Sequence, residues 1–147
     1  MATTVTAADL TVTITESYSL NGVTYGNTQS KLYGSNGKVL QRIMTVSTAD
    51  PTILNFAASA SAGSVVVGDY AYFRIKNLDD TNFVMLSLFN GADTFFYKLA
   101  AGETFLLMNN EMDAVTGETF VAFADIERIK AEADAAACDV EIFCVTA

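Results

Sequence analysis

The chain has 147 residues, of which 51% are hydrophobic, and it carries a formal net charge of −9 with no histidine. This length suits one domain whose core needs neither disulfides nor a metal, and the apolar content excludes intrinsic disorder. The acidic excess repels phosphate groups and therefore argues against nucleic acid as a partner. A single proline and many Thr, Val and Phe residues favour β-strands.

The N-terminal sequence MATTVTAADL has neither a basic region nor an apolar core, so we expect no signal peptide. The longest uncharged stretch, residues 51–68, is interrupted by Asn55, Gly63 and serines, so we expect neither a membrane span nor a membrane partner. We expect a soluble protein made in a cytoplasm. Residues 1–8 are predicted to form an N-terminal arm that orders only against a neighbouring chain, and residues 9–147 one β-sandwich domain.

The first third of the chain predicts strands joined by glycine-rich turns. Residues 10–16 alternate strictly, which predicts a strand with Leu10, Val12 and Ile14 pointing inward. Asn21 and Gly22 mark a loop. Residues 28–33 and 38–47 flank a Gly-Ser-Asn-Gly segment, and this pattern predicts that the two strands form a hairpin.

The middle of the chain predicts a core sheet. After a short strand at residues 52–57 and a flexible segment at 58–64, residues 65–67 favour a brief edge strand. Four apolar segments follow, separated by turn signals that include Asn90-Gly91, and they predict a continuous antiparallel meander in the centre of the fold. These segments are residues 70–76, 83–89, 94–99 and 104–108.

The C-terminal part predicts a polar loop and three more strands. Residues 118–124 favour a strand, and residues 128–133 alternate in a way that favours a strand over a helical turn within 127–137. Residues 137–145 form the predicted last strand. About ten short strands at regular spacing predict an all-β, antiparallel sandwich of jelly-roll-like form.

Cys138 and Cys144 lie six positions apart in this predicted last strand. At about 3.3 Å per residue their Cα atoms are roughly 20 Å apart, too far for a disulfide. Their even spacing places both on the face shared with Val140 and Ile142. We therefore expect buried, reduced thiols.

The residues offer little for catalysis. Without histidine the chain lacks the commonest general base, and no nucleophile or phosphate-binding motif is present. The carboxylate pairs Asp79 with Asp80 and Glu111 with Asp113 lie in predicted turns, where capping is their usual role. We expect no enzymatic activity, no catalytic residues and no bound cofactor.

A metal site is not expected either. Asp79, Asp80 and Asn82 carry oxygen ligands of the kind that Ca²⁺ prefers, but the spacing of a calcium-binding loop is absent. Asp50, Glu111 and Asp113 would join a site only through the fold. A hydrogen-bonded turn is the favoured interpretation of residues 79–82.

The aromatic run Phe95-Phe96-Tyr97 is open to two interpretations. A strand that is apolar on both sides is covered on both faces, which would place the run in the core. Alternatively, one face meets a neighbouring chain, because aromatic residues are enriched at the centres of interfaces.

The segment RIKNLDDTNFV at residues 74–84 resembles small β-sandwich structural proteins of tailed-bacteriophage virions, of the kind that decorate heads or occur in tails. Further similarity lies in KLAAGE at residues 98–103, KAEA at 130–133 and DVEI at 139–142. The resemblance implies a structural role, assembly in the cytoplasm of a host bacterium, and location in the virion. It carries over no catalytic residue.

The leading hypothesis is therefore a capsid decoration or cement protein that reinforces the assembled shell. Its implied partners are the major capsid protein or other virion proteins, and further copies of itself, a trimer being favoured. A tail, neck or fibre component is the alternative in the same class. A carbohydrate-binding β-sandwich module is the alternative from another class.

Overall fold

The computed structural model describes residues 6–49, 52–59, 64–113 and 119–146. These residues form fifteen strands and no helix, which confirms the predicted all-β class. The strands are β1 (Ala8–Thr15), β2 (Tyr18–Leu20), β3 (Val23–Tyr25), β4 (Thr28–Asn36), β5 (Lys38–Val46), β6 (Thr52–Ala57), β7 (Val65–Val66), β8 (Tyr70–Asn77), β9 (Val84–Phe89), β10 (Thr94–Leu99), β11 (Thr104–Leu107), β12 (Glu111–Met112), β13 (Ala124–Asp125), β14 (Arg128–Ala133) and β15 (Cys138–Thr146).

Two sheets pack face to face as a sandwich. Sheet I has the strand order β10-β9-β14-β6-β7, and sheet II has the order β11-β8-β15-β5. Neighbouring strands are antiparallel except β7, which pairs in parallel with β6 at the edge of sheet I. The predicted brief edge strand at residues 65–67 is thus confirmed.

The pairing of the eight main strands is nested. β9 and β10 form the innermost pair, closed by the loop at residues 90–93, and around it β8 pairs with β11, β6 with β14, and β5 with β15. The inner and outer pairs alternate between the two sheets. This folded-over antiparallel ribbon is the jelly-roll arrangement that the strand pattern predicted.

The central strands bury one face each because apolar and polar residues alternate along them. In β14, Ile129, Ala131 and Ala133 are buried, while Lys130 and Glu132 are half-buried on the other side. The interpretation of residues 128–133 as a strand rather than a helical turn is therefore confirmed. The inward residues of β14 and those of β15 belong to one hydrophobic core.

The cysteines lie in that core. Cys138, Val140, Ile142 and Cys144 are each fully buried on the inner face of β15, and neither thiol is in a disulfide. Burial raises the pKa of the Cys144 thiol to about 12. Both expectations for the cysteines, burial and no pairing, are confirmed.

The predicted meander is wrong in its pairing, although its four strands exist. β8 lies in sheet II and β9 in sheet I, so residues 78–82 cross between the sheets and do not close a hairpin. Only β9 and β10 are hairpin partners, with Gly91 at a φ of +89° in their loop. The turn signals were identified correctly, but a turn residue does not specify whether the next strand joins the same sheet.

Residues 8–36 form a long two-stranded ribbon outside both main sheets. β1 pairs with β4 and β2 with β3 in one continuous register, from Leu10 opposite Tyr33 to Leu20 opposite Val23. Asn21 and Gly22 turn the chain with φ angles of +52° and +80°, as a tight hairpin requires. The predicted hairpin between residues 28–33 and 38–47 is wrong, because β4 pairs with β1 and β5 with β15.

Two further expectations are corrected. Leu10 and Val12 are only half-buried and Ile14 is 38% exposed, because β1 belongs to the ribbon and not to the sandwich. Of the strand predicted at residues 118–124, the described part is irregular up to the short β13.

The predicted arm at residues 1–8 lies largely outside the described residues, as do residues 60–63 of the predicted flexible segment.

A buried amide at the end of β8 fastens the crossover between the sheets. The side-chain nitrogen of Asn77 donates to the backbone oxygens of Asn82 (2.9 Å), Ala100 (3.2 Å) and Leu99 (3.4 Å). Its side-chain oxygen accepts a hydrogen bond from the backbone nitrogen of Asp79 at 3.0 Å. One fully buried side chain therefore satisfies backbone groups on both sides of the sandwich.

We predict that Asn77→Ala lowers the free energy of unfolding by about 2–3 kcal/mol, because it leaves buried carbonyl groups without a donor. Urea denaturation followed by circular dichroism measures the change. The matched control is Asn55→Ala, at an exposed position of β6. Equal losses in the two variants would contradict the role assigned to the Asn77 amide.

We also predict that neither cysteine reacts with an aromatic disulfide reagent in the folded protein, whereas both react in guanidinium chloride. Burial removes the thiols from solvent and keeps them protonated. Absorbance of the released thiolate counts the reactive groups. Rapid native labelling of both, or recovery of an intramolecular disulfide, would refute this.

Candidate functional site

The free edge of sheet I carries an exposed aromatic run. β10 pairs with β9 on one side and forms the end of the sheet order on the other. Phe95 is 44% exposed, Phe96 is 60% exposed and Tyr97 is 37% exposed. The interpretation that places this run in the core is therefore wrong for the described residues, because all three side chains are accessible.

Neighbouring segments extend this run into a larger surface. Residues 119–123 bring in Phe120 and Phe123, which are 62% exposed and whose ring centroids are 4.8 Å apart. The Tyr97 ring lies 4.9 Å from that of half-buried Phe105 on β11. We call this surface the aromatic edge; it consists of Phe95, Tyr97, Phe105, Phe120 and Phe123, whereas Phe96 lies on the other face of β10, paired with outward-facing Ser87.

A depression of about 330 Å³ opens within the aromatic edge. Its lining includes Phe95, Phe105 and Phe123, and at its base are buried Leu88 and Ile126 from the core. The volume lies at the lower end of the range of ligand pockets and accommodates an apolar side chain of a partner.

Two carboxylates give this depression an acidic side. Glu111 and Asp113 both line it, so the structure brings this predicted pair together at the aromatic edge. One oxygen of Asp113 accepts a hydrogen bond from the backbone nitrogen of Val121 at 2.7 Å, which holds the Phe120 to Phe123 segment beside β12. An apolar contact beside carboxylates suits a partner surface that combines an apolar side chain with Lys or Arg.

The other carboxylate pair forms a turn. One Asp79 oxygen accepts hydrogen bonds from the backbone nitrogens of Asn82 (2.6 Å) and Thr81 (2.8 Å), and Asp80 accepts one from the Thr81 hydroxyl. The two bonds from the backbone nitrogens, that of Asn82 first, lower the pKa of the Asp79 carboxyl. Within the described ranges, no three metal-ligating side chains are grouped closely enough to hold a metal ion, and Asp50 lies outside them.

Sequence reasoning found the aromatic run but missed its neighbours. The predicted strand at residues 118–124 includes Phe120 and Phe123, although four exposed apolar or small residues follow one another from Phe120 to Phe123 without the alternation of a half-buried strand. Phe105 was assigned only to the core. The sequence does not predict the long ribbon, because Asn21-Gly22 at its tip indicates only a loop.

Comparison with protein-family models, with curated proteins and with solved structures found no match to this chain. Across the described residues, no helix has the length and apolar composition needed to cross a bilayer. The function must therefore be argued from the surface chemistry of the chain itself.

The lowered pKa of Asp79 makes the contribution of this turn to the stability of the protein depend on pH. Since the folded pKa of Asp79 is lowered from 3.8, its contribution to stability is complete above the unfolded pKa and is lost as pH falls through the folded value. We predict that wild type is more stable than Asp79→Asn at pH 7 and that the difference narrows below about pH 4. Urea denaturation midpoints at pH 7 and below about pH 4 measure the difference in stability between wild type and variant. Asp80→Asn is the control for removing one negative charge. A difference that does not change with pH would contradict the assignment.

Proposed function

We propose that this chain is a structural protein of a bacteriophage virion: a decoration or cement protein that binds the outer face of the assembled shell through its aromatic edge. The observation that carries the proposal is the aromatic edge itself. It is a cluster of exposed rings on the free edge of a rigid jelly-roll. The partners are the major capsid protein and, at the same lattice site, further copies of this chain.

Exposed phenylalanine at this density favours a macromolecular partner. Phe120 and Phe123 are each 62% exposed, and aromatic side chains are enriched at the centres of protein interfaces. A contiguous apolar patch on a soluble chain marks such an interaction site. The free edge of β10 adds unpaired backbone groups with which a neighbouring strand can pair.

The charge distribution supports binding to an assembled lattice. From Glu103 to the C-terminus there are ten acidic residues against Arg128 and Lys130. Like charges keep free copies from associating through this part of the chain, whereas a shell surface that presents Lys or Arg attracts it. A protein that binds only the assembled shell stabilises the shell by mass action, which is how cement acts.

The fold is compatible with this role but does not decide it. Jelly-rolls occur in viral structural proteins and in lectins, so the architecture alone selects neither. The resemblance of residues 74–84 to virion proteins favours the former. The aromatic edge also favours it, since its most exposed rings are phenylalanines, which offer no hydroxyl or indole nitrogen to a sugar.

The test uses shells of the encoding phage assembled without this protein. We predict that purified wild type co-sediments with expanded shells, and that Phe120→Ser with Phe123→Ser weakens binding at least tenfold, because both rings lose their contact with the lattice. The matched control is Val39→Ser with Ile43→Ser, two apolar residues of β5 that are each 65% exposed.

Melting temperatures establish that both double variants remain folded. Retention of wild-type affinity in the aromatic-edge variant would refute the assigned surface. Failure of the wild type to bind shells, with binding to purified tails or to a glycan array instead, would refute the cement function and identify the alternative class.

A further inference from the structure

The ribbon of residues 8–36 projects from the sandwich with its distal part in solvent. Every residue from 13 to 32 is exposed. The contacts with the sandwich lie at its base, where the ring of Tyr33 is 6.0 Å from that of Tyr72 and the backbone nitrogen of Gly37 donates to the Thr146 oxygen at 3.0 Å. From Ala8 to Leu20 the first strand of the ribbon spans thirteen residues, which at about 3.3 Å per residue gives a length of about 40 Å.

The two faces of the ribbon differ in chemistry. One face carries the hydroxyl pairs Thr13 with Ser30 (2.9 Å) and Thr15 with Thr28 (3.2 Å). The other face ends in an apolar tip, which we define as Tyr18, Leu20, Val23 and Tyr25; these side chains are between 48% and 60% exposed. The register pairs Tyr18 with Tyr25 and Leu20 with Val23, so the four side chains lie together.

Such a ribbon needs a partner to be stable. A two-stranded hairpin in water is marginal on its own, and its stability rises when a hydrophobic face is covered. Here the apolar tip is the part furthest from the sandwich, so the same molecule does not supply the cover.

Charge indicates which partner covers the tip. The sequence from Ser17 to Ser30 contains no charged residue, and Asp9 and Glu16 against Lys31 leave the whole ribbon one net negative charge out of −9. Charged groups are what steer and select a foreign partner, and the tip has none. Identical copies, by contrast, are able to pack these neutral tips together while their acidic sandwiches remain far apart and escape mutual repulsion.

We propose that copies of this chain associate with one another through their ribbons, apolar tip against apolar tip, into a small closed homo-oligomer. The hydroxyl face then remains in water. The exposed apolar side chains of the tip and of Ile14 offer on the order of 500 Å² per copy, approaching the roughly 800 Å² that each partner contributes to a stable interface. Backbone at the ribbon edges supplies further area.

This inference goes beyond the proposed function and does not require a shell. The aromatic edge lies on β10 and residues 119–123, and the tip on β2 and β3, so they are separate surfaces of the chain. Association through the ribbons leaves the aromatic edge of each copy free. Several copies joined in this way would contact a repeating lattice at several points and gain avidity.

The test is the oligomeric state of the purified full chain, measured by size-exclusion chromatography with light scattering and by native mass spectrometry. We expect an oligomer whose dissociation constant rises at least tenfold in Leu20→Thr with Val23→Thr, since threonine keeps the strand and removes the apolar contact. The matched control is Val39→Thr with Ile43→Thr, which should associate as wild type does.

A second measurement keeps the result independent of stability. Tyr18→Cys places an accessible thiol at the tip while the native thiols are buried, so mild oxidation should give a disulfide-linked pair of chains. A wild type that is monomeric at its highest soluble concentration, or a tip variant that associates like wild type, overturns the inference. If the aromatic-edge variant loses shell binding but keeps its oligomeric state, that result supports the proposed function and shows that the two surfaces act separately.

Discussion

The burial of the inner faces of β14 and β15 is the constraint on which the rest of the structure depends. β15 pairs along its length with β5 and β8, and β14 with β9 and β6, so each is the hub of its sheet. Their inward residues are fully or almost fully buried against one another. Because the hub strands come last in the chain, each sheet is completed by a strand from residues 128–146 that lies between strands from earlier in the sequence.

This arrangement determines what is left exposed. With the core filled by the inner faces, the free edge at β10 and the distal part of the ribbon, residues 13–32, remain exposed. Both combine aromatic side chains with open strand edges, yet they differ in electrostatics, since the first lies beside Glu111 and Asp113 and the second ends in an uncharged tip. The two proposals therefore assign these surfaces to different partners: the acidic aromatic edge to a basic lattice, and the neutral tip to another copy of the same chain.

The sequence predicted individual strands well, because alternation is a local signal. Residues 128–133 and both cysteines lie where their pattern placed them. Pairing was predicted poorly, because it depends on partners remote in sequence: Cys138 lies opposite Val46, and β8 pairs with β11 across the intervening hairpin. Local turn chemistry therefore suggested a meander and a hairpin that the jelly-roll replaces. The aromatic edge could be predicted only in part, since the exposure of Phe95 to Tyr97 depends on β10 being an edge strand.

The proposed function is tested most directly by electron cryo-microscopy of the purified phage particle to which the proposal assigns this chain. The proposed function predicts jelly-roll density on the outer shell, with β10 and residues 119–123 against the capsid lattice and the ribbons of neighbouring copies in contact. Density for this chain only in the tail, or on the shell with the aromatic edge facing solvent, would contradict it.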